Sequence, residues 1–255
     1  MFKDLFSQQS SDYAKYRPEY PDELFEFIIK HVEHRETCWD CATGNGQAAV
    51  SLAKYFTKVI ATDASSQQLR KAVKLPNITY HLTTEKDSLL LPHSVDLITV
   101  AQAIHWFDFN EFYREVRRVS KSGVGDDTNH GQTVIAVWGY GLQHISLALD
   151  PIIEQLYSGI LGKYWSPERK LVDESYTTIP FPFKEIKTPA FEMKVKWNLF
   201  EFVGYLNTWS SVQNYKNLLN SNPLDLITEE LAAAWGEPEE KRIIRWPLFL
   251  RMGKV

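Results

Sequence analysis

Between Thr37 and Leu82 the chain alternates three short apolar runs with two helix-patterned ones, and few folds accept that rhythm. The runs "TCWDCAT", "KVIATDAS" and "NITYHL" read as strands: each is short, rich in β-branched or aromatic residues, and bounded by turn formers. Between them, "QAAVSLAKYF" and "SSQQLRKAVKL" carry apolar residues at helical spacing. Strand, helix and strand in so few residues demand right-handed crossovers and a parallel sheet. "SVDLITVAQ" and "QTVIAVWGYG" extend that sheet, with "NEFYREVRRVS" as the intervening helix. The polar stretch "KSGVGDDTNHGQ" before the fifth strand reads as a surface loop. Ahead of the first strand, "PDELFEFIIKHVEH" predicts an amphipathic helix, opened by Pro21 and two acids and buried through Leu24, Phe25, Ile28, Ile29 and Val32.

After Tyr140 the rhythm changes. "ISLALDPIIEQLYSGIL" and "LFEFVGYLNTWSSVQNYKNLL" predict helices, "FPFKEIKTPAFEMKVKW" one alternating strand after its prolines, and "EKRIIRWPLFLRMGKV" a closing strand. At 255 residues the chain suits one large domain with an elaboration. The expected organisation is a single domain over 1–255, with an arm at 1–20 and a substrate-covering cap at about 141–220. A net charge of -4 with no basic block disfavours a nucleic-acid partner. No apolar stretch of about 18 residues or secretory leader is read, so a cytoplasmic protein without a membrane partner is expected.

The turn after the first strand, "CWDCATGNGQAA", admits three chemistries. Cys38 and Cys41 form a Cys-x-x-Cys pair, but on a strand they point to opposite faces, with α-carbons roughly 10 Å apart and beyond disulfide reach. None of the seven histidines forms a second paired cluster with them, so no metal site is expected. "GNGQAA" also fits the relaxed glycine pattern for a dinucleotide, with Asp63 near the expected distance for a ribose acid. Asp40, four residues before Gly44, is foreign to that apolar strand pattern, however. A third cofactor, S-adenosylmethionine, carries an ammonium that a strand-end carboxylate such as Asp40 can meet. Gly44 and Gly46 would let the backbone approach it, and Asp63 would accept both ribose hydroxyls. Against that role for Asp63 stands a plain helix cap, which Ser65 or Ser66 is equally able to provide.

"YAKYRPEYP", "DCATGNGQ", Asp63, "TTEKDSLLLPHSVDLITVAQAIHWFD" and "GYLNTWS", in that order, resemble class I S-adenosylmethionine-dependent methyltransferases of the methyltransferase type 11 group, in the trans-aconitate methyltransferase-like branch. The resemblance covers roughly residues 10 to 140 well. It implies an α/β, Rossmann-like, mostly parallel seven-stranded sheet with helices on both faces and a helical cap in the second half. It further implies that Glu85 lies near the adenine amino group, that Ala101 and Gln102 face the methionine moiety, and that Tyr13 and Arg17 belong to an N-terminal lid. Asn45, Gln47, Ala64 and Thr84 complete the expected cofactor lining.

For the acceptor, "AQAIHWFD" is the informative stretch, because open parallel sheets bind ligands at the carboxyl ends of their strands. His105 is suited to orienting an acceptor, pairing with a carboxylate or acting as general base, and equally to capping the next helix. Trp106 either walls the pocket or packs in the core. Trp165, Trp197, Trp209 and Tyr215 similarly serve as an apolar cover or as core. The branch implies O-methylation of a small carboxylic acid; a monomer or homodimer is expected. The rival readings are an NAD(P)-dependent oxidoreductase on a related fold and a non-catalytic binding protein that retains the fold.

Overall fold

The computed structural model describes residues 17–121 and 133–255; Tyr13, Tyr16 and most of the predicted polar loop lie outside the described residues. The chain divides into two compact units. The first comprises Tyr20–Tyr140, Leu171–Phe191 and Leu248–Val255. The five strands expected there all form: β1 (Thr37–Cys41), β2 (Lys58–Asp63), β3 (Ile78–Leu82), β4 (Leu97–Ala101) and β5 (Val134–Tyr140). They run parallel in the order β3-β2-β1-β4-β5. β4 and β5 are buried almost throughout, which is why they read as unbroken apolar runs and not as alternating ones.

Among the described residues the sheet has eight strands where seven were expected. The run at 181–197 breaks into β6 (Lys184–Ile186) and β7 (Phe191–Trp197). Pro189 lies in the break, lacking the N–H that a ladder needs. The last strand, β8 (Arg242–Lys254), is 13 residues long. It pairs antiparallel with both β5 and β6, and β7 also pairs with it.

Four helices flank the parallel strands: α1 (Asp22–Ile29), α2 (Gln47–Leu52), α3 (Ser66–Lys71) and α4 (Phe109–Val119). Asp108 caps α4, accepting from the Glu111 N–H. Phe112, Val116 and Val119 of α4 then pack with Trp39, Ile98, Val100, Ile135 and Val137 of the strands. The strand residues alternate, so Trp138 points to the other face and meets Phe25 of α1 edge-on at 6.0 Å. Within α4, Glu115 is buried and paired with Arg118, and it also accepts the Ser88 N–H and hydroxyl. That network ties the loop after β3 to the helix.

The second unit holds 141–170 and 192–247, together with 17–19. α5 (Asp150–Glu154) starts later than its hydrophobic pattern predicts. The Asp150 carboxylate accepts the Ile145 and Ser146 N–H groups, holding 145–149 in a turn. α5 then widens into a π turn over Gln155–Ile160. α6 (Leu199–Asn207) opens with a capping box between Asn198 and Glu201, α7 (Ser210–Leu219) follows, and α8 (Thr228–Trp235) ends at Gly236. The core of this unit is aromatic: Tyr205 lies edge-on to Trp246 and Trp209, and its hydroxyl accepts the Trp246 indole N–H at 2.9 Å.

Candidate functional site

The turn between β1 and α2 is tightly wound. Ala42, Gly44 and Gly46 all have positive φ, at 54°, 59° and 84°. The Thr43 N–H donates to the Thr62 carbonyl and the Gly46 N–H to the Thr43 carbonyl, folding the turn over the ends of β1 and β2. A β-carbon on Gly46 would stand 2.4 Å from the Tyr80 hydroxyl, whereas one on Gly44 meets nothing within 4 Å. Gly46 is therefore required by packing, and the backbone at Gly44 faces open space.

Three acids converge at this rim. Asp40 is fully buried beneath the turn, where its two oxygens accept the hydroxyls of Thr43 at 2.5 Å and Thr99 at 2.8 Å. Burial pushes its carboxyl up to about 6, with nearby Asp63 adding to the effect and the two threonines opposing it. Asp63 accepts the Gly44 N–H at 2.8 Å through one oxygen and the Ser65 N–H at 2.7 Å through the other. The helix cap itself is Ser65, which accepts from the Gln68 N–H. Ala64 lies between them, half-buried, as are Asn45 and Gln47 in the turn. Glu85 is half-buried after β3, with Thr84 exposed beside it. The Cys41 thiol is pushed well up, by burial first and then by the charges of Glu85, Asp40 and Asp63, so all three acids act on the end of β1.

At the neighbouring strand end, Gln102 follows Ala101 with φ of 53° and donates its backbone N–H to the Trp138 carbonyl. Its Oε1 is buried with no hydrogen-bond partner among the described residues, and it lies where a β-carbon on Gly139 would stand. His105 sits in the single turn Ile104–Trp106, with Nδ1 2.8 Å from the Tyr176 hydroxyl. Asp108 is the helix cap, so His105 is not needed for that task. Trp106 is 37% exposed and stands outside the core, its ring 5.0 Å from that of His105.

Over residues 39–124 the sequence matches the family described as Methyltransferase domain. Over 99% of its length it is 34% identical to a protein named as a methyltransferase in Dictyostelium discoideum, covering 95% of that chain. It is also 32% identical to a Saccharomyces cerevisiae protein named as an S-adenosylmethionine-dependent methyltransferase, over 45% of this chain and 42% of that one. A solved structure described as a type II methyltransferase from Anaeromyxobacter dehalogenans matches with a TM-score of 0.84 and 38% identity, covering 94% of this chain and 98% of that one. The chain is an S-adenosylmethionine-dependent methyltransferase.

The methyltransferase has a rim whose chemistry fits that cofactor. Its carboxylates suit a ligand carrying an ammonium and a sulfonium, the backbone at Gly44 is open to close approach, and the buried Gln102 Oε1 has no donor among the described residues. Cys38 and Cys41 of the methyltransferase are free, buried thiols, as the strand geometry required. Among its described residues no group of three or more His, Cys, Asp or Glu side chains is arranged to hold a metal ion. None of its described helices is long and apolar enough to cross a membrane. Arg17 belongs to the second unit of the methyltransferase, stacked 5.5 Å from the Tyr205 ring with a 3.5 Å hydrogen bond to the Thr208 carbonyl. In that unit Trp209 is buried, while Trp165, Trp197 and Tyr215 are half-buried.

Four residues that pack around the candidate site escape sequence reasoning: Thr43, Thr99, Tyr80 and Tyr176. Thr43 and Thr99 do carry a signal, each a lone hydroxyl in an otherwise apolar or glycine-rich run. Tyr176 carries none, because it joins His105 from 71 positions away.

Proposed function

We propose that this methyltransferase esterifies a small carboxylic acid, as in the trans-aconitate methyltransferase-like branch. The observation that carries the reading is His105 at the carboxyl end of β4, held by a hydrogen bond to the buried Tyr176 beside the exposed Trp106. Bound S-adenosylmethionine supplies an electrophilic methyl group. In this reading Asp63 accepts the ribose hydroxyls: a carboxylate offers about four lone-pair sites, so its two backbone contacts are compatible with that role. Glu85 and Thr84 serve the adenine end. Asn45, Gln47 and Ala64 line the cofactor, and Asp40 attracts the ammonium from below the turn. Ala101 and Gln102 face the methionine moiety, and Tyr13 and Arg17 act from the N-terminal arm. His105 and Trp106 orient the acceptor, with His105 the residue closest to the chemistry.

Methyl transfer by in-line displacement needs alignment, exclusion of water and a nucleophile in the right charge state. A carboxylate is already ionised near neutral pH, so an orienting group suffices. A panel of carboxylic acids, phenols and amines with methyl-labelled cofactor tests the proposal. Labelled methyl esters are expected, with turnover lowered in His105→Ala. Label appearing only in phenols or amines would overturn the acceptor class, and unchanged turnover in His105→Ala would remove His105 from the acceptor site.

A further inference from the structure

We propose that Tyr176 is a positioning residue that holds His105 as the neutral tautomer with its proton on Nε2, so that the imidazole donates a hydrogen bond to an anionic acceptor and does not act as a base. The inference rests on the acceptor-side reading of His105 given above. The 2.8 Å contact joins the Tyr176 hydroxyl to Nδ1 of His105, and one of the two must be the donor. A phenol O–H is a stronger donor than the N–H of a neutral imidazole, and an unprotonated imidazole nitrogen is a stronger acceptor than a phenol oxygen. The hydroxyl therefore donates, Nδ1 accepts, and the ring proton stays on Nε2.

Tyr176 is built as a fixed support. It is fully buried, and it follows Ser175 in a pair of consecutive non-glycine residues at positive φ, 53° and 58°. Such backbone persists only where the surroundings over-determine it. Here the Tyr176 N–H donates to the Leu171 carbonyl, and Arg251 donates to the carbonyls of Tyr176 at 2.9 Å and Ile179 at 2.8 Å. Phe249 meets the Tyr176 ring edge-on at 5.0 Å. Phe249 also crowds the place of a β-carbon on Gly139, beside Gln102 Oε1, so the support is continuous with the ends of β4 and β5.

The chemistry matches a carboxylate. One acceptor oxygen forms the new O–CH3 bond as the CH3–S bond breaks, the electron pair leaves with sulfur, and no proton changes place. An Nε2–H donor can orient the carboxylate in that step, while a phenol or amine would need the base that this tautomer is not.

Long-range 1H–15N correlation spectra of the 15N-labelled full-length protein without cofactor, at pH 7.5, test the inference, with His105 assigned by comparison with His105→Asn. The expected wild-type pattern is that of the Nε2–H tautomer. Tyr176→Phe should convert it to a tautomer mixture while leaving S-adenosylmethionine affinity by calorimetry unchanged. An Nδ1–H pattern in the wild type overturns the proposal by itself, whether or not the variant folds. An unchanged His105 pattern in folded Tyr176→Phe overturns it as well, as does a loss of cofactor affinity in that variant, which marks a general structural role. Failure of the functional reading shows separately, as no ester formed by a wild-type protein with the Nε2–H pattern.

Discussion

Thr99 stands directly opposite Asp40 in the ladder between β1 and β4, and its hydroxyl donates to the Asp40 carboxylate at 2.8 Å. Even so, burial dominates and raises that carboxyl from 3.8 to about 6. The folded value lies above the unfolded one, so folding favours the protonated form. Its stabilising contribution is complete below about pH 4 and is lost as the pH rises through 6. A gap of about two pKa units corresponds to roughly 3 kcal/mol. Urea melts at pH 4 and pH 7.5 should show Asp40→Asn lacking that part of the wild-type decline. Equal pH slopes in the two proteins would show that Asp40 is not strained by its burial.

Asp63 joins the turn and the next helix through the Gly44 and Ser65 N–H groups. Asp63→Ala should weaken S-adenosylmethionine binding by at least about tenfold, or ~1.4 kcal/mol, while the melt stays cooperative. Asp63→Asn, which retains one carbonyl acceptor, should fall between. Calorimetric titration of both folded variants checks this, and wild-type affinity in Asp63→Ala would refute the ribose role.

Gly46→Ala combines left-handed backbone, costing about 1–2 kcal/mol, with a collision against the Tyr80 hydroxyl. The collision is separable. In a double-mutant cycle, the penalty of Gly46→Ala should be smaller in a Tyr80→Phe background, where the hydroxyl is gone. Strictly additive stabilities would mean that the turn relaxes away from Tyr80.

Removing Arg118 leaves the buried Glu115 carboxylate, among the described residues, with Ser88 as its remaining donor, through the Ser88 N–H at 2.8 Å and the Ser88 hydroxyl. Losing one member of a fully buried pair costs about 3–5 kcal/mol; Arg118 is partly exposed, so Arg118→Ala should cost about 2–3 kcal/mol. Glu115 itself is pulled below the usual carboxylate range: burial acts upward, but Arg118 and Ser88 outweigh it. Its contribution is therefore present above about pH 4.5 and fades as the pH falls through the lowered value. Arg118→Ala should accordingly be most damaging near neutral pH, as denaturation at pH 3 and pH 7 will show.

Much of this arrangement is legible in the sequence for definite reasons. Buried parallel strands must be apolar runs, so β1, β2, β4 and β5 announce themselves. A carboxylate ending such a run is conspicuous, which is how Asp40 and Asp63 stand out. Thr99 is obscure because its role depends on the register of β4 against β1, 59 residues earlier. Tyr176 is obscure because it reaches His105 from a segment whose place in the fold depends on β8 and Arg251. The separation of β6 from β7 turns on Pro189, a local effect that an alternating pattern overrode.

The two thiols of β1 offer an unplanned convenience. Cys38 and Cys41 are buried on a central strand, and burial, reinforced by neighbouring carboxylates, keeps both sulfurs protonated. A colourless disulfide reagent that yields a dye on reaction should thus stay silent while the sheet is closed and report only when it opens. The molecule carries its own clock for opening of the sheet, with no label to attach and no residue to change.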